Sequence, residues 1–293
     1  MKKKMNLKKL GAVCCAALMM AACLTGCGGA AASPASSAPA ASFSAGSAPA
    51  ALTGTVATGG STSMEKVMAA LQEAWAEKEP EVTVTYDPTG SGAGITGAME
   101  GTLDIGLSSR QLKDSETGVE ATVLALDGIA LVVNKENPVN DLTMEQAAAI
   151  ARGEIDNWSQ LGGTDTPIVL VGREAGSGTR DGFESILGVE DECVYAQELT
   201  ATGAVVAAVA SNPGAIGYAS LSAVEDTVKA LTVGGTACSE ATVLDGSYPI
   251  QRPFVLVTRQ GAEPSPAAAA FVKFALSADA ADLIRAAGAV PLA

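Results

Sequence analysis

The 293-residue sequence contains no histidine, and this absence excludes several kinds of active site. Without an imidazole, neither a Ser-His-Asp nor a Cys-His catalytic arrangement can form, and no histidine can ligate a metal. Basic residues are also scarce: 18 Lys and Arg stand against 32 Asp and Glu, which gives a formal net charge of −14. A chain this acidic lacks the positive face with which nucleic-acid-binding proteins neutralise phosphates, so we expect no nucleic-acid partner. Aromatic residues make up 4% of the chain whereas glycine occurs 32 times, which favours a fold of small side chains and many turns.

The first 26 residues have the organisation of a secretory signal. Five lysines between positions 2 and 9 precede an apolar stretch at 10–22 that is too short to span a bilayer. It is followed by Leu24-Thr25-Gly26-Cys27, which resembles the bacterial lipobox, in which cleavage before the cysteine leaves its thiol acylated, typically with palmitate. We therefore predict a lipoprotein signal peptide at 1–26 and lipidation at Cys27; an ordinary signal peptide and processing at Cys23 are the alternatives. Removing the leader leaves 13 basic and 32 acidic residues, a formal charge of −19.

Residues 27–51 consist almost entirely of Ala, Ser, Pro and Gly, a composition that predicts a flexible tether. A lipid at one end and a tether behind it predict an extracytoplasmic protein anchored to the cell membrane. No later segment is long and apolar enough to cross a bilayer. Two cysteines, Cys193 and Cys238, follow the leader; a disulfide between them is possible in an exported chain, and two free thiols are at least as compatible with the sequence.

From residue 52 onward, short apolar strands alternate with helical patterns, which predicts an α/β fold with mostly parallel strands. Apolar residues recur at helical spacing between Met64 and Trp75, and Thr143-Met-Glu-Gln146 is a capping box. Strands are predicted at residues 52–57, 82–86, 104–107, 121–134, 167–172, 216–219, 228–233 and 253–258. Helices are predicted at residues 63–77, 95–100, 143–152, 181–187, 203–210 and within 265–287.

Three glycine-rich loops share one construction and carry the functional signal. Each contains Ser or Thr and lies between a predicted strand and a helix: Gly59-Gly60-Ser61-Thr62-Ser63, Gly90-Ser91-Gly92-Ala93-Gly94 and Gly176-Ser177-Gly178-Thr179. The first N–H groups of a helix have no partner within it, and the helix dipole adds about half a positive charge there, so each loop is suited to an anion. In α/β sheets such turns gather at the carboxyl edge of the strands. One such loop is more often a plain N-cap, but three in one chain favour a binding site.

Arg173 precedes the third loop and offers a planar fork of donors suited to an oxyanion. The alternative for this residue is a surface ion pair, for example with Glu174. Arg110 and Arg180 are equally compatible with solvent and with a ligand.

Enzyme motifs are incomplete in this sequence. Residues 172–179 lack the Gly-Lys-Ser/Thr ending of a P-loop, and no Gly-x-Ser-x-Gly elbow surrounds Ser91 or Ser177. No Cys or His cluster is present to hold a transition metal, although a site made only of carboxylates stays open. We therefore predict a binding protein that needs no cofactor, and not an enzyme.

Five segments occur in the order and spacing of one family: Gly60-Ser-Thr-Ser63, Gly90-Ser91-Gly92, Asp104-Ile-Gly-Leu-Ser-Ser-Arg110, Arg173-Glu-Ala-Gly-Ser-Gly-Thr179 and Asn212-Pro-Gly-Ala-Ile-Gly-Tyr218. From about residue 52 to its end, the chain resembles the phosphate-binding protein of the bacterial ABC phosphate importer, a periplasmic-type solute-binding protein. The resemblance implies a monomer that captures inorganic phosphate and delivers it to the transmembrane subunits of an ABC permease.

The resemblance also implies the type II periplasmic-binding-protein fold, in which two α/β lobes are joined by two crossing hinge strands and close on the anion. The crossings should fall near 126–131 and 247–252. Lobe 1 would then comprise residues 52–128 and 250–293, and lobe 2 residues 129–249.

Carried over position by position, the resemblance implies nine phosphate-binding residues: Ser61, Thr62, Ser63, Ser91, Ser109, Arg173, Ser177, Gly178 and Thr179. Some members have Asp where this chain has Ser109, and that carboxylate accepts a hydrogen bond from the proton that phosphate carries and sulfate lacks. Serine is a weaker acceptor and can rotate to donate instead, so sulfate, molybdate and organic phosphates stay open as ligands. A phosphate-ester hydrolase that uses a loop serine is a further alternative, which the missing general base opposes.

Overall fold

The computed structural model describes residues 51–292. The predicted signal peptide, Cys27 and nearly all of the predicted tether lie outside the described residues. Within the described range, no helix combines the length and the apolar character needed to cross a membrane.

Strands and helices alternate along most of the described chain. The strands are β1 (Gly54–Gly60), β2 (Val82–Asp87), β3 (Ile105–Ser108), β4 (Val119–Asn134), β5 (Asp141–Leu142), β6 (Val169–Arg173), β7 (Gln197–Leu199), β8 (Ala215–Ser220), β9 (Val228–Ala230), β10 (Thr232–Val233), β11 (Gln251–Arg259) and β12 (Val290–Pro291). The α-helices are α1 (Glu65–Lys78), α2 (Ser91–Glu100), α3 (Met144–Ala151), α4 (Gly178–Leu187), α5 (Thr202–Ser211), α6 (Glu240–Leu244), α7 (Pro266–Ala275) and α8 (Ala278–Ala286). Short 3-10 turns occupy Thr62–Met64, Trp158–Leu161 and Leu221–Ala223.

A ten-stranded sheet with the main order β2-β1-β3-β11-β4-β8-β6-β7 forms the centre of the fold, and β9 and β12 also pair with β4. The 16-residue strand β4 is shared by two parts of this sheet. Its residues 119–128 pair with β11, and its residues 129–133 pair with β8. We call β2, β1, β3, β11 and the start of β4 the first half-sheet, and the end of β4 with β8, β6 and β7 the second half-sheet.

Strand direction changes between the outside and the centre of the sheet. Strand β1 pairs in parallel with β2 and β3, and β6 pairs in parallel with β7 and β8. At the centre, β11 is antiparallel to β3 and β4, and β4 is antiparallel to β8. The prediction of mostly parallel strands is therefore wrong at the centre, because the chain passes from one half-sheet to the other and back along strands of opposite direction.

Each half-sheet has a hydrophobic core of its own. In the first core, the Trp75 ring meets Phe271 edge-on, with ring centroids 5.5 Å apart. In the second core, which includes Trp158, the rings of Phe183 and Tyr218 stack at 4.2 Å. Each half-sheet thus packs its own aromatic side chains, which contribute a large share of the energy of a hydrophobic core.

Two helices begin three or four residues earlier than the sequence predicts. Helix α2 starts at Ser91 instead of 95, and α4 starts at Gly178 instead of 181. Glycine has low helix propensity, which moved the predicted starts toward the C-terminus. Tertiary contact overrides that propensity: a Cβ on Gly94 would lie 2.7 Å from the Gly59 carbonyl oxygen, so only glycine lets α2 pack this closely on β1.

Other local predictions have definite outcomes. The capping box of α3 is confirmed: Thr143 Oγ1 accepts from the Gln146 amide at 3.2 Å, and Gln146 Oε1 accepts from the Thr143 amide at 2.9 Å. The strand predicted at 228–233 is divided into β9 and β10. Cys193 and Cys238 are free thiols, so the possible disulfide is not formed.

Candidate functional site

The first glycine loop presents three buried hydroxyl residues at the end of β1. Ser61 caps the following 3-10 turn by accepting a hydrogen bond from the Ser63 amide at 3.3 Å. The Ser61 amide in turn donates to the Leu107 carbonyl at 2.8 Å, which fixes the loop to β3. This leaves the hydroxyls of Thr62 and Ser63 turned toward the second half-sheet, where their partners lie.

The second loop begins α2 with Ser91, which is fully buried. Ser91 Oγ accepts from the Ser109 amide at 3.0 Å and lies 3.2 Å from Ser109 Oγ. The loop is tied to the first one because the Gly90 amide donates to the Gly60 carbonyl at 2.8 Å. Hydrogen bonds therefore join the two loops and the end of β3 into one continuous surface.

The third loop lies opposite that surface, at the end of β6. Ser177 caps α4 by accepting from the Arg180 amide at 3.4 Å, and Gly178 is the first residue of the helix. Gly178 packs directly on the second loop: a Cβ here would lie 2.4 Å from Ser91 Oγ and 2.8 Å from Ser109 Oγ. The Gly92 amide also donates to the Gly176 carbonyl at 2.9 Å. The loops of the two half-sheets are thus in direct contact.

Hydroxyl groups from both half-sheets meet at this contact. Ser63 Oγ lies 2.8 Å from Thr179 Oγ1 and 3.2 Å from Thr202 Oγ1, and Thr62 Oγ1 lies 3.0 Å from Thr202 Oγ1. Thr202, the first residue of α5, is absent from the predicted set. The sequence carries a signal for it, since Thr202-Gly203 also opens a helix after a short strand.

Arg173 is buried beside these hydroxyls at the end of β6. Its Nη1 donates to Thr202 Oγ1 at 3.0 Å, and its Nε and Nη2 donate to the carbonyls of Leu199 and Thr200 at 3.0 and 2.7 Å. All of these acceptors are neutral, and no ion pair within residues 51–292 involves Arg173, so the alternative of a pair with Glu174 is not realised. Burial lowers the pKa of the guanidinium to about 10, which leaves it charged at neutral pH.

A buried ion pair lies directly behind the hydroxyls, and sequence reasoning missed both members. Arg252 and Asp127 are opposed in the β11–β4 ladder, with Nη2 and Oδ2 3.0 Å apart. Arg252 Nη1 donates to Ser109 Oγ at 3.1 Å, and its Nη2 donates to Ser63 Oγ at 3.0 Å. The sequence does carry a signal for them. Asp127 is the one charged residue of the predicted crossing at 126–131, and Arg252 is the one charged residue of the crossing at 247–252.

The charges of this pair are maintained against desolvation. Burial raises the pKa of Asp127, and the neighbouring Arg252 charge and the hydrogen bond from Ser220 oppose that rise. Burial likewise lowers the pKa of Arg252, and Asp127 opposes the fall. Asp127 Oδ1 accepts from Ser220 Oγ at 2.7 Å and from the Leu221 amide at 3.2 Å, so both carboxylate oxygens have partners. Arg252 Nε and Nη2 both donate to Oδ2, and the paired, ionised state is the one that fits these four donors.

The side chains of Arg110 and Arg180 form ion pairs and donate to none of the hydroxyls described above. Arg110 pairs with Glu116 and Asp181, each at 2.7 Å. Arg180 pairs with Glu184 and with a second carboxylate, Glu198, each at 2.8 Å. Both side chains thus have carboxylate partners.

Of the nine residues that the resemblance implies, seven converge on this contact between half-sheets: Thr62, Ser63, Ser91, Ser109, Arg173, Gly178 and Thr179. Ser61 and Ser177 belong to the same loops but use their side-chain oxygens to cap helices. The arrangement offers neutral hydroxyl donors, two helix N-termini and a buried guanidinium, which is suited to binding an oxyanion. Within residues 51–292 no group of three or more Asp, Glu, Cys or His side chains is arranged to hold a metal ion.

Comparison with known proteins identifies the relatives of this chain. Residues 45–279 match the model of the PBP superfamily domain. The phosphate-binding protein PstS of Bacillus subtilis is 32% identical over 211 residues, which cover 67% of each chain. A second relative is a phosphate ABC transporter substrate-binding protein from Clostridium perfringens, whose structure contains bound phosphate. It is 40% identical to this chain with a TM-score of 0.79, and the match covers 82% of this chain and 100% of the relative. An ABC-type phosphate transport receptor from Vibrio cholerae is 34% identical with a TM-score of 0.68, and the match covers 80% of this chain and 99% of the receptor chain. The predicted two-lobed α/β fold is confirmed by these likenesses.

Proposed function

We propose that this chain, which belongs to the PBP superfamily and within it to the family of bacterial phosphate-binding proteins, captures inorganic phosphate outside the cytoplasm and delivers it to an ABC-type phosphate permease. Its relatives are solute-binding components of transport, and the chain is likewise a binding protein and not an enzyme.

The observation that carries this proposal is the environment of Arg173. Its guanidinium is buried and charged, yet every hydrogen bond that it makes goes to a neutral oxygen. A buried charge is costly unless an opposite charge compensates it. An oxyanion beside Arg173 supplies that compensation once the hydroxyls of Ser63 and Thr179, which now contact each other at 2.8 Å, part to admit it.

The proposed ligand set combines the predicted residues with Thr202. Hydroxyls and the first amides of the helices donate to the anion, and Arg173 balances its charge. The residues are Ser61, Thr62, Ser63, Ser91, Ser109, Arg173, Ser177, Gly178, Thr179 and Thr202.

The binding movement that we propose is closure of two lobes, residues 52–128 with 250–293 and residues 129–249, around the anion. Contacts between the half-sheets support it, because the 2.8 Å approach of Ser63 to Thr179 and the 2.9 Å hydrogen bond from Gly92 to Gly176 join opposite walls of the cleft. Closure excludes water, which strengthens each hydrogen bond to the anion.

Attachment to the membrane belongs to the same proposal. The lipobox-like sequence at 24–27 supports acylation of Cys27, and residues 27–51 then tether a monomeric binding domain to the cell membrane. Mass spectrometry of the protein purified from bacterial membranes tests this: we expect an N-terminal acylated Cys27, and loss of membrane attachment in Cys27→Ala. A protein that starts elsewhere or carries no lipid contradicts the anchor but not phosphate binding.

Isothermal titration calorimetry of the purified protein tests the function itself. We expect saturable binding of one phosphate per chain, with sulfate and molybdate binding more weakly in competition. Absence of phosphate binding contradicts the proposal, and tighter binding of sulfate or molybdate would reassign the protein to another oxyanion.

A further inference from the structure

Five hydroxyl oxygens of the site share one feature: each accepts a hydrogen bond from an N–H group. The pairs are Thr62 with the Thr202 amide (3.3 Å), Ser63 with Arg252 Nη2 (3.0 Å), Ser91 with the Ser109 amide (3.0 Å), Ser109 with Arg252 Nη1 (3.1 Å) and Thr202 with Arg173 Nη1 (3.0 Å). A hydroxyl has one hydrogen and two acceptor lone pairs. An N–H that occupies a lone pair therefore leaves the hydroxyl hydrogen free to be donated and weakens the oxygen as a further acceptor.

Arg252 supplies two of these five hydrogen bonds from a fixed position. Asp127 Oδ2 accepts from both Nε and Nη2 of Arg252, at 3.1 and 3.0 Å, and holds the planar guanidinium against rotation. The other carboxylate oxygen is occupied by Ser220 and the Leu221 amide. Asp127 is fully buried, so it orients Arg252 and has no free oxygen with which to accept a proton from a ligand.

We propose that Arg252 is a positioning residue that makes Ser63 and Ser109 hydrogen-bond donors, so that Ser109 does not accept the proton carried by phosphate. This inference rests on the proposed function, because it assigns a role inside the same anion site. The site then recognises the charge and tetrahedral shape of its ligand through an almost exclusive set of donors. Ser109 then does not contribute to any preference for phosphate over a dianion that carries no proton.

The first test compares ligands that differ in their proton. Competition titrations of the full-length protein use phosphate, sulfate and monofluorophosphate; the last two are dianions without a proton at neutral pH. We expect Ser109→Ala to weaken all three by a similar factor of about ten, the loss of one hydrogen bond to a charged group. Ser108→Ala is the matched control, because Ser108 is also buried but its hydroxyl bonds only to the backbone of Arg110. A loss confined to phosphate overturns the inference.

The second test removes the Arg252 N–H groups that donate to Ser63 and Ser109, without changing the net charge of the protein. In Asp127→Asn/Arg252→Met, both members of the ion pair are neutralised, and Ser63 and Ser109 regain their lone pairs as acceptors. We expect the preference for phosphate over monofluorophosphate to rise about three- to tenfold even though absolute affinities fall. A purely structural role of Arg252 would weaken both ligands equally and would overturn the inference. If circular dichroism shows this variant unfolded, the Ser109→Ala comparison decides alone.

The two proposals fail differently. Wild-type protein that binds no oxyanion contradicts the proposed function and this inference together. Wild-type protein that binds phosphate but neither proton-free dianion retains the proposed function and overturns the inference, because a set of donors alone cannot require a proton on its ligand.

Discussion

Arg252 and Asp127 form an ion pair that crosses from β11 to β4 in the centre of the sheet, with 3% of the arginine side chain and none of the aspartate side chain exposed. Neither group has access to bulk water, so each depends on the other for compensation of its charge. Removing one member of such a pair leaves an isolated buried charge, which is much more destabilising than removal of an exposed pair.

The first prediction concerns stability. We expect Arg252→Ala to lower the free energy of unfolding by about 3–5 kcal/mol, measured by urea denaturation. Burial raises the pKa of Asp127, and the variant lacks the positive charge that opposes this rise. The folded variant therefore binds a proton more readily than the unfolded chain, so its stability is greatest at low pH and is lost as the pH rises through the raised pKa.

Arg285→Ala is the control for this measurement. Arg285 pairs at the surface with Glu240 and Asp282, and its removal should change the free energy of unfolding by less than about 1 kcal/mol. Equal effects of the two substitutions would contradict the assignment of a buried, mutually dependent pair.

The second prediction concerns the guanidinium of the proposed ligand set. We expect Arg173→Ala to weaken phosphate binding at least about a hundredfold while the protein stays folded, because the anion loses its only directly opposed charge and several donors. Calorimetry gives the affinity, and thermal unfolding without phosphate gives the stability. Arg285→Ala is the control, because Arg285 pairs at the surface with Glu240 and Asp282. Unchanged affinity in Arg173→Ala would show that the anion binds elsewhere.

The third prediction concerns the close approach of Gly178. A methyl group here would lie 2.4 Å from Ser91 Oγ, so Gly178→Ala must separate the two walls of the site. We expect phosphate affinity to fall at least about tenfold, with a larger radius of gyration in the presence of phosphate by small-angle X-ray scattering. Gly203→Ala is the matched control, since Gly203 also lies in the first turn of a helix but nothing is within 4 Å of its added Cβ. The idea fails if both alanine variants bind phosphate like the wild type.

The fourth prediction concerns the two thiols. Burial raises the pKa of Cys193 to about 11 and that of Cys238 to about 12, so little thiolate is present at pH 8. We expect iodoacetamide to alkylate both residues more than about tenfold more slowly in the native protein than in urea. Peptide mass spectrometry resolves each site separately. Rapid alkylation of the native protein would mean that the thiols are exposed, and a peptide containing both residues joined by a disulfide would contradict their free state.

Local features of this fold could be predicted from the sequence because they depend on neighbouring residues. The capping box at Thr143 and Gln146 satisfies two orphan amides within one helical turn, and the structure forms it as predicted. The glycine loops at Ser61, Ser91 and Ser177 were recognisable for the same reason, since glycine and hydroxyl residues before a helix have local consequences.

Features that depend on strand register could not be predicted in this way. The contact between Arg252 and Asp127 joins residues 125 positions apart, and it exists only because β11 and β4 align them as partners. Thr202 enters the site because α5 begins beside Thr62 of the other half-sheet. A sequence pattern shows which side chains a strand or helix carries, but not which distant element lies opposite them.

The sharing of β4 between the half-sheets has a consequence for the order of folding. The first half-sheet needs β11, which lies far from β1–β3 in the sequence, and the second half-sheet needs the far end of β4. The polypeptide therefore cannot complete its sheet until residues 251–259 have been synthesised. Sheets that wait for such distant partners fold slowly. The contacts of Arg252 with Ser63 and Ser109 can therefore form only once nearly all of the described chain has been synthesised.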